Sequence, residues 1–228
     1  MIKKYLSRVV SIQNHFEGLY TLEFESLGGT YKYLPGQFLH LALDLDYDGS
    51  GQWPESRCFS MQSNPNDKNV TITYSVKGNF TKQMQESLKV GSEVWLKMPY
   101  GDLFTQEHSK ENTVFVAGGT GVTPFLSLFC HESFKEYNKP KLYLGLRDKN
   151  YHIYKDALKK AIQVNPDFEI NILYESENGK LNIEDILKKN GNERVYFISG
   201  PPMMIKNFKT SLIATGVDES LIKTDDWE

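Results

Sequence analysis

The sequence predicts two domains in tandem: an antiparallel β-barrel or sandwich over residues 1–108, then an α/β domain with a parallel sheet over residues 109–228. Three observations carry this. The first half is made of short alternating or β-branched runs separated by Gly, Pro, Asn and Asp. The second half alternates apolar strand, turn and amphipathic helix. Between them lies "TQEHSKEN", polar and without periodicity, which places the boundary near residues 106–112.

Taken in order, the first half offers "SRVVSI", "LYTLEFES", "QFLHLALDL" and "VTITYSV" as strands. One helix interrupts them. In "NFTKQMQESLKV" the apolar residues Phe80, Met84 and Leu88 recur on one helical face, and Gly91 follows as a stop. The loop "DYDGSGQWPES", with Trp53 and Pro54, reads as a Gly/Asp hairpin crossing without chemistry. In the second half the repeats are "TVFVAG" with "PFLSLFCHESF", "KLYLGLR" with "YKDALKKAIQ", "FEINILY" with "IEDILKKN", and "RVYFISG" with "MMIKNFKTSLIATG". Strands that read as continuous apolar runs, alternating with helices, belong to a parallel sheet covered on both faces.

Composition excludes several function classes. The 228 residues are 39% hydrophobic and 13% aromatic, enough for two ordinary cores. The net charge of −3 is spread evenly, with 10 basic and 12 acidic residues in 1–108 against 16 and 17 in 109–228. No nucleic-acid or membrane surface is expected from that distribution. The apolar run at the start is too short and broken for a signal peptide or membrane span, so a cytoplasmic protein is expected. Cys58 and Cys130 fall short of the four thiolates of an ordinary iron–sulfur cluster, so a redox centre would have to be organic. His15, His40, His108, His131 and His152 show no metal-ligand spacing. Cys58 reads as a small buried hydrophobe, and the lysine pairs 159/160 and 188/189 as solvated helix faces, with docking of an acidic carrier as the alternative for the lysines.

The chemistry is concentrated at strand ends. "FVAGGTGVTP" puts Gly119, Thr120 and Gly121 after the first strand of the α/β half, where bare backbone amides and a helix start meet phosphate oxygens. It lacks the spacing of the common dinucleotide fingerprint, because Pro124 stands at the sixth position from Gly119, and it lacks the lysine of a P-loop. A tight strand-to-helix turn is the plainer reading of the same glycines. The other strand ends complete a rim: Arg147 in "GLRD", Glu175 and Glu177 in "LYESE", and Ser199, Gly200 and Pro201 in "ISGPPMMI". The first half carries a second phosphate motif. "SRCFS" alternates so that Arg57 and Phe59 share one face and Ser60 points the other way, while "VKGNFT" offers Lys77 and then a helix start at Gly78, Phe80 and Thr81. Two such sites imply two dinucleotides.

Together these residues resemble the ferredoxin-NADP reductase family of FAD-dependent NAD(P)H oxidoreductases, over nearly the whole chain. Arg57, Phe59 and Ser60 match its Arg-x-Tyr/Phe-Ser pattern, and Gly78 and Thr81 its Gly-x-x-Ser/Thr. "MPYGDLF" is similar to Gly-Pro-x-Gly-x-Phe with Met98 where glycine is usual, "YLGLR" to Tyr-Gly-x-Arg, and "SGPPMM" to Cys-Gly-Pro-Pro-x-Met with Ser199 in place of cysteine. The resemblance implies a flavin barrel holding FAD, a second domain holding NADH or NADPH, and redox rings that meet between them. It implies that Arg57, Lys77, Gly78, Phe80 and Thr81 serve the FAD diphosphate, that Phe59 stacks near the flavin, and that Ser60 hydrogen-bonds its N5. In the second domain it implies Gly119, Thr120 and Gly121 at the nicotinamide cofactor's diphosphate, with Arg147, Glu175, Gly200 and Pro201 along its ribose and ring. Ser199 and the near-terminal Trp227 are the expected neighbours of the reacting rings.

Glu175 and Glu177 would repel the extra phosphate of NADPH, which favours NADH. The implied acceptor is a small electron carrier, ferredoxin or flavodoxin. Two alternatives stand beside it: the reductase component of a multicomponent oxygenase or haem protein, and a flavin-bearing redox subunit active only inside a larger complex.

Overall fold

A computed structural model describes residues 1–16, 18–44 and 46–225. Its contacts divide the chain into two compact units, residues 1–102 and 103–228.

The first unit is a six-stranded antiparallel sheet built from β1 (Lys3–Phe16), β2 (Leu19–Ser26), β3 (Phe38–Ala42), β4 (Ser56–Ser60), β5 (Val70–Ser75) and β6 (Glu93–Tyr100), in the order β4-β3-β6-β1-β2-β5. The end strands β4 and β5 come together without a ladder between them, so the sheet nearly closes into a barrel. Alternation decides what fills it. Along β2 and β5 every second residue points inward, and Leu22, Phe24, Val70, Ile72 and Tyr74 join Leu39, Leu41, Val94 and Leu96 in one core. Helix α1 (Asn79–Ser87) follows β5 and inserts Phe80 and Met84 into that core, while Leu88 ends it with extended backbone. The spacing of four thus marks a buried helical stripe, as the sequence predicts.

The second unit is a five-stranded parallel sheet in the order β11-β10-β7-β8-β9, from β7 (Val114–Gly118), β8 (Lys141–Leu146), β9 (Glu169–Tyr174), β10 (Tyr196–Ser199) and β11 (Ile222–Thr224). Helices α2 (Thr123–Phe129), α3 (Lys155–Val164), α4 (Glu175–Asn178), α5 (Ile183–Asn190) and α6 (Pro202–Ala214) connect the strands. Alternation along β7 feeds two cores: Phe115 and Ala117 pack with residues of α2 and α3, and Val114 and Val116 with residues of α5 and α6. Leu103 and Phe104 belong to the first of these cores. The strand-and-helix repeats do not foretell β11, because three residues are too few to show a period. No helix among the described residues is long and apolar enough to cross a membrane.

Candidate functional site

The first unit gathers its predicted residues at one place. Strand β4 runs antiparallel to β3, with Arg57 opposite Leu41 and Phe59 opposite Leu39, so both lie on the face that fills the barrel. Phe59 packs edge-on against Tyr74, ring centroids 6.0 Å apart. Arg57 is exposed, and its guanidinium lies over the Phe80 ring at 5.2 Å, which brings it beside the first turn of α1. Its Nη1 donates to the Ser56 carbonyl at 2.8 Å and its Nη2 to Glu55 Oε1 at 2.9 Å. Ser60 ends β4, half-buried, on the opposite face.

The start of α1 is built to leave its amides to something else. Helix starts are commonly served by a capping side chain or a carboxylate in the first turn. Here Gly78 stands at the N-cap and the first turn holds no acidic residue. Thr81 does differ from its expected role. Its hydroxyl donates to the Gly78 carbonyl at 3.0 Å and accepts from the Lys77 and Gly78 amides at 2.9 and 3.1 Å, so it shapes the turn instead of offering its proton outward. Gly78 has φ −139°, which any residue adopts, and a Cβ there would meet nothing within 4 Å. The open space at Gly78, the uncapped helix end and the guanidinium together fit an anionic phosphate group. Lys77 is exposed next to them.

On the other face, Cys58 sits opposite His40 with Sγ 3.5 Å from Nε2. Burial pushes the thiol pKa up against the opposing pull of Arg57, and burial, helped by Lys97, pushes the His40 pKa down. Both shifts favour the uncharged forms of thiol and imidazole.

In the second unit β10 and β7 are neighbours in register, Ser199 beside Ala117, so "GGTG" and "SGPP" meet at the strand ends. The glycines divide into two kinds. A Cβ on Gly121 would lie 2.5 Å from Gly200 Cα and 2.6 Å from the Ser199 carbonyl carbon, one on Gly200 (φ +152°) 2.6 Å from Met204 Cε, and one on Gly118 2.8 Å from Met204 Sδ. These three let two chain crossings pack against each other. The Cα of Gly121 is thus turned to Ser199 and Gly200. Gly119, with φ +57° and nothing within 4 Å of a Cβ, is the one that faces open space, with half-buried Thr120 beside it. Pro201 and Pro202 open α6 without amide hydrogens, so that helix start offers fewer donors than α1.

Ser199 is buried, and its hydroxyl donates to Asp225 Oδ2 at 3.0 Å, while the Asp225 amide donates to the Ile198 carbonyl. The sequence places Ser199 beside the reacting rings but does not reveal its partner: Asp225 directly follows β11, which the pattern does not show. Trp227 lies outside the described residues.

At the ends of β8 and β9, Arg147 donates to the Tyr151 hydroxyl at 2.9 Å with its guanidinium 5.1 Å from that ring. Glu175 and Glu177, expected to repel a ribose phosphate, are paired with Lys180 at 3.5 Å and Lys149 at 2.7 Å. The Glu177 bond also raises the Lys149 pKa. Lys180 and Lys149 thus offset the two glutamates, with Arg147 and Asp148 adjoining in the same turn. Neither lysine is legible by spacing, since Lys149 reaches Glu177 only through the turn after β8.

The oxidoreductase NAD-binding domain family matches residues 115–210. A flavohemoprotein of Rhizobium meliloti is 23% identical over 225 residues, covering 89% of this chain and 55% of that protein. Methane monooxygenase component C of Methylosinus trichosporium is 31% identical over 150 residues, 64% of this chain and 42% of that protein. The chain therefore spans about half the length of these curated relatives. Among solved structures, a ferredoxin NADP+ reductase of Neisseria gonorrhoeae with bound FAD and NADP superposes with a TM-score of 0.78 at 18% identity, over 98% of both chains. The barrel followed by a parallel sheet is thus the fold of that reductase, and within it residues 115–210 match the oxidoreductase NAD-binding domain family.

Proposed function

We propose that the chain is an NAD(P)H-dependent flavoprotein reductase, with FAD on the barrel and NADH or NADPH on the parallel sheet, delivering electrons to a carrier protein of ferredoxin or flavodoxin type. The observation that carries this is the Arg57 guanidinium held over Phe80 at an uncapped, acid-free helix start in a chain that also bears an NAD-binding domain. A diphosphate suits that start because it brings two negative charges to one cation and several amides. When bound, FAD supplies the ability to take an electron pair and give it up singly.

On this reading Arg57 neutralises the diphosphate, with Lys77 beside it. The amides of the first turn of α1 donate to the diphosphate, and Gly78 keeps the approach open. Phe59 forms an apolar wall for the flavin, and the Ser60 hydroxyl donates to its ring. Gly119 and Thr120 face the nicotinamide cofactor's phosphates, with Gly118, Gly121 and Gly200 giving the turn its shape and Pro201 stiffening its rim. Asp225 fixes the Ser199 hydroxyl so that it keeps one orientation.

Cofactor choice follows from charge. With Glu175 and Glu177 each paired to a lysine, the corner does not present bare carboxylates to a ribose phosphate, and NADPH is accepted alongside NADH. A second reading, the reductase component of a multicomponent oxygenase, is favoured by the relatives: methane monooxygenase component C and the reductase component of propane 2-monooxygenase. It changes the acceptor and leaves the site as described.

Steady-state turnover tests the proposal. FAD-loaded chain, given NADPH or NADH, should reduce ferricyanide and then a soluble ferredoxin or flavodoxin. A flavin-loaded chain inert toward ferricyanide would instead mark a subunit that works only inside a complex.

A further inference from the structure

Arg57 carries five N–H donors in a fixed fork, and its strength toward a phosphate depends on how many remain for it. One donates to the Ser56 carbonyl, and another to Glu55 Oε1 at 2.9 Å. Glu55 is the more exposed partner of that pair, at 74% against 52% for Arg57. It lies two residues before Arg57, one residue ahead of β4. A carboxylate there does two things to an incoming diphosphate: it holds part of the fork, and it places a negative charge beside two more.

Positioning of the guanidinium does not depend on Glu55, because the Ser56 carbonyl and the Phe80 ring hold it independently. We propose that Glu55 is a built-in competitor for Arg57 that weakens FAD binding and makes the flavin exchangeable. This inference rests on the reading of the barrel as the FAD site. Sequence alone gives it no signal, since "PESRCFS" shows the spacing and not the bond.

The test is FAD affinity, read by quenching of FAD fluorescence on titration of the apoprotein, for wild type, Glu55→Gln and Glu55→Asp at low and high salt. Glu55→Gln should bind FAD about twofold to fivefold more tightly at low salt, the size expected for one exposed charge pair. The gain should shrink at high salt through screening. Glu55→Asp keeps the charge and should follow wild type. Binding by Glu55→Gln that is unchanged or weaker overturns the inference, and so does equal tightening by Glu55→Asp, which would point to side-chain length. A wild-type chain that quenches no FAD in either buffer overturns the FAD reading itself, and the inference with it. A strong wild-type titration separates the two failures.

Discussion

The helix start of α1 and the strand-end turn of β7 both present glycines where a phosphate is expected, yet they are built on opposite principles. At α1 the glycine leaves space: Gly78 has ordinary backbone angles and no neighbour within 4 Å of a Cβ. At β7 most of the glycines are consumed by packing, with Gly121 pressed against Gly200 and Gly118 against Met204. A glycine motif therefore mixes residues that serve a ligand with residues that serve the chain, and only the surroundings sort them.

Identical substitutions should expose the difference. Gly121→Ala puts a methyl 2.5 Å from backbone that cannot rotate away, and should destabilise the second unit by about 3 kcal/mol or prevent its folding, measured by chemical denaturation. Gly78→Ala should leave stability within about 1 kcal/mol of wild type while lowering FAD affinity, since the added methyl intrudes only on the ligand's side. Equal destabilisation by both would erase the distinction.

Arg57→Ala comes next. Loss of a charge-assisted contact worth about 1.5–3 kcal/mol should weaken FAD binding roughly tenfold to a hundredfold, with little change in stability because the side chain is exposed. At the β8–β9 corner, Lys149→Glu removes the partner of Glu177 and reverses a charge. The ratio of NADPH to NADH efficiency should fall about tenfold, or about 1.4 kcal/mol, in steady-state kinetics, and an unchanged ratio would remove this corner from cofactor choice.

The smallest effect is on pH. Burial holds the pKa values of His15, His40, His108 and His152 below their ordinary 6.5. The unfolded chain then takes up protons first, so stability should decline as pH falls below about 6.5 and stay flat above it. Denaturant midpoints between pH 5 and 8 would show this, and a rise on acidification would contradict it.

Much of the fold was legible because period betrays burial. The stripe of Phe80, Met84 and Leu88 gave α1, and strand-helix alternation gave the parallel sheet. The site was legible as a set of residues but less so as a set of partners. Glu55 on Arg57, Lys149 on Glu177 and Asp225 on Ser199 are side-chain meetings set by turns and by a three-residue strand, and no local pattern encodes them. The carboxylates that favoured NADH are legible in the sequence, but the lysines that meet them are not.

The most direct test of the whole account is an anaerobic titration of the FAD-loaded protein with NADH and, separately, NADPH, following the flavin absorption band. Both reductants should bleach the band stoichiometrically. A chain that takes up FAD but is bleached by neither, or one that takes up no FAD at all, would contradict it.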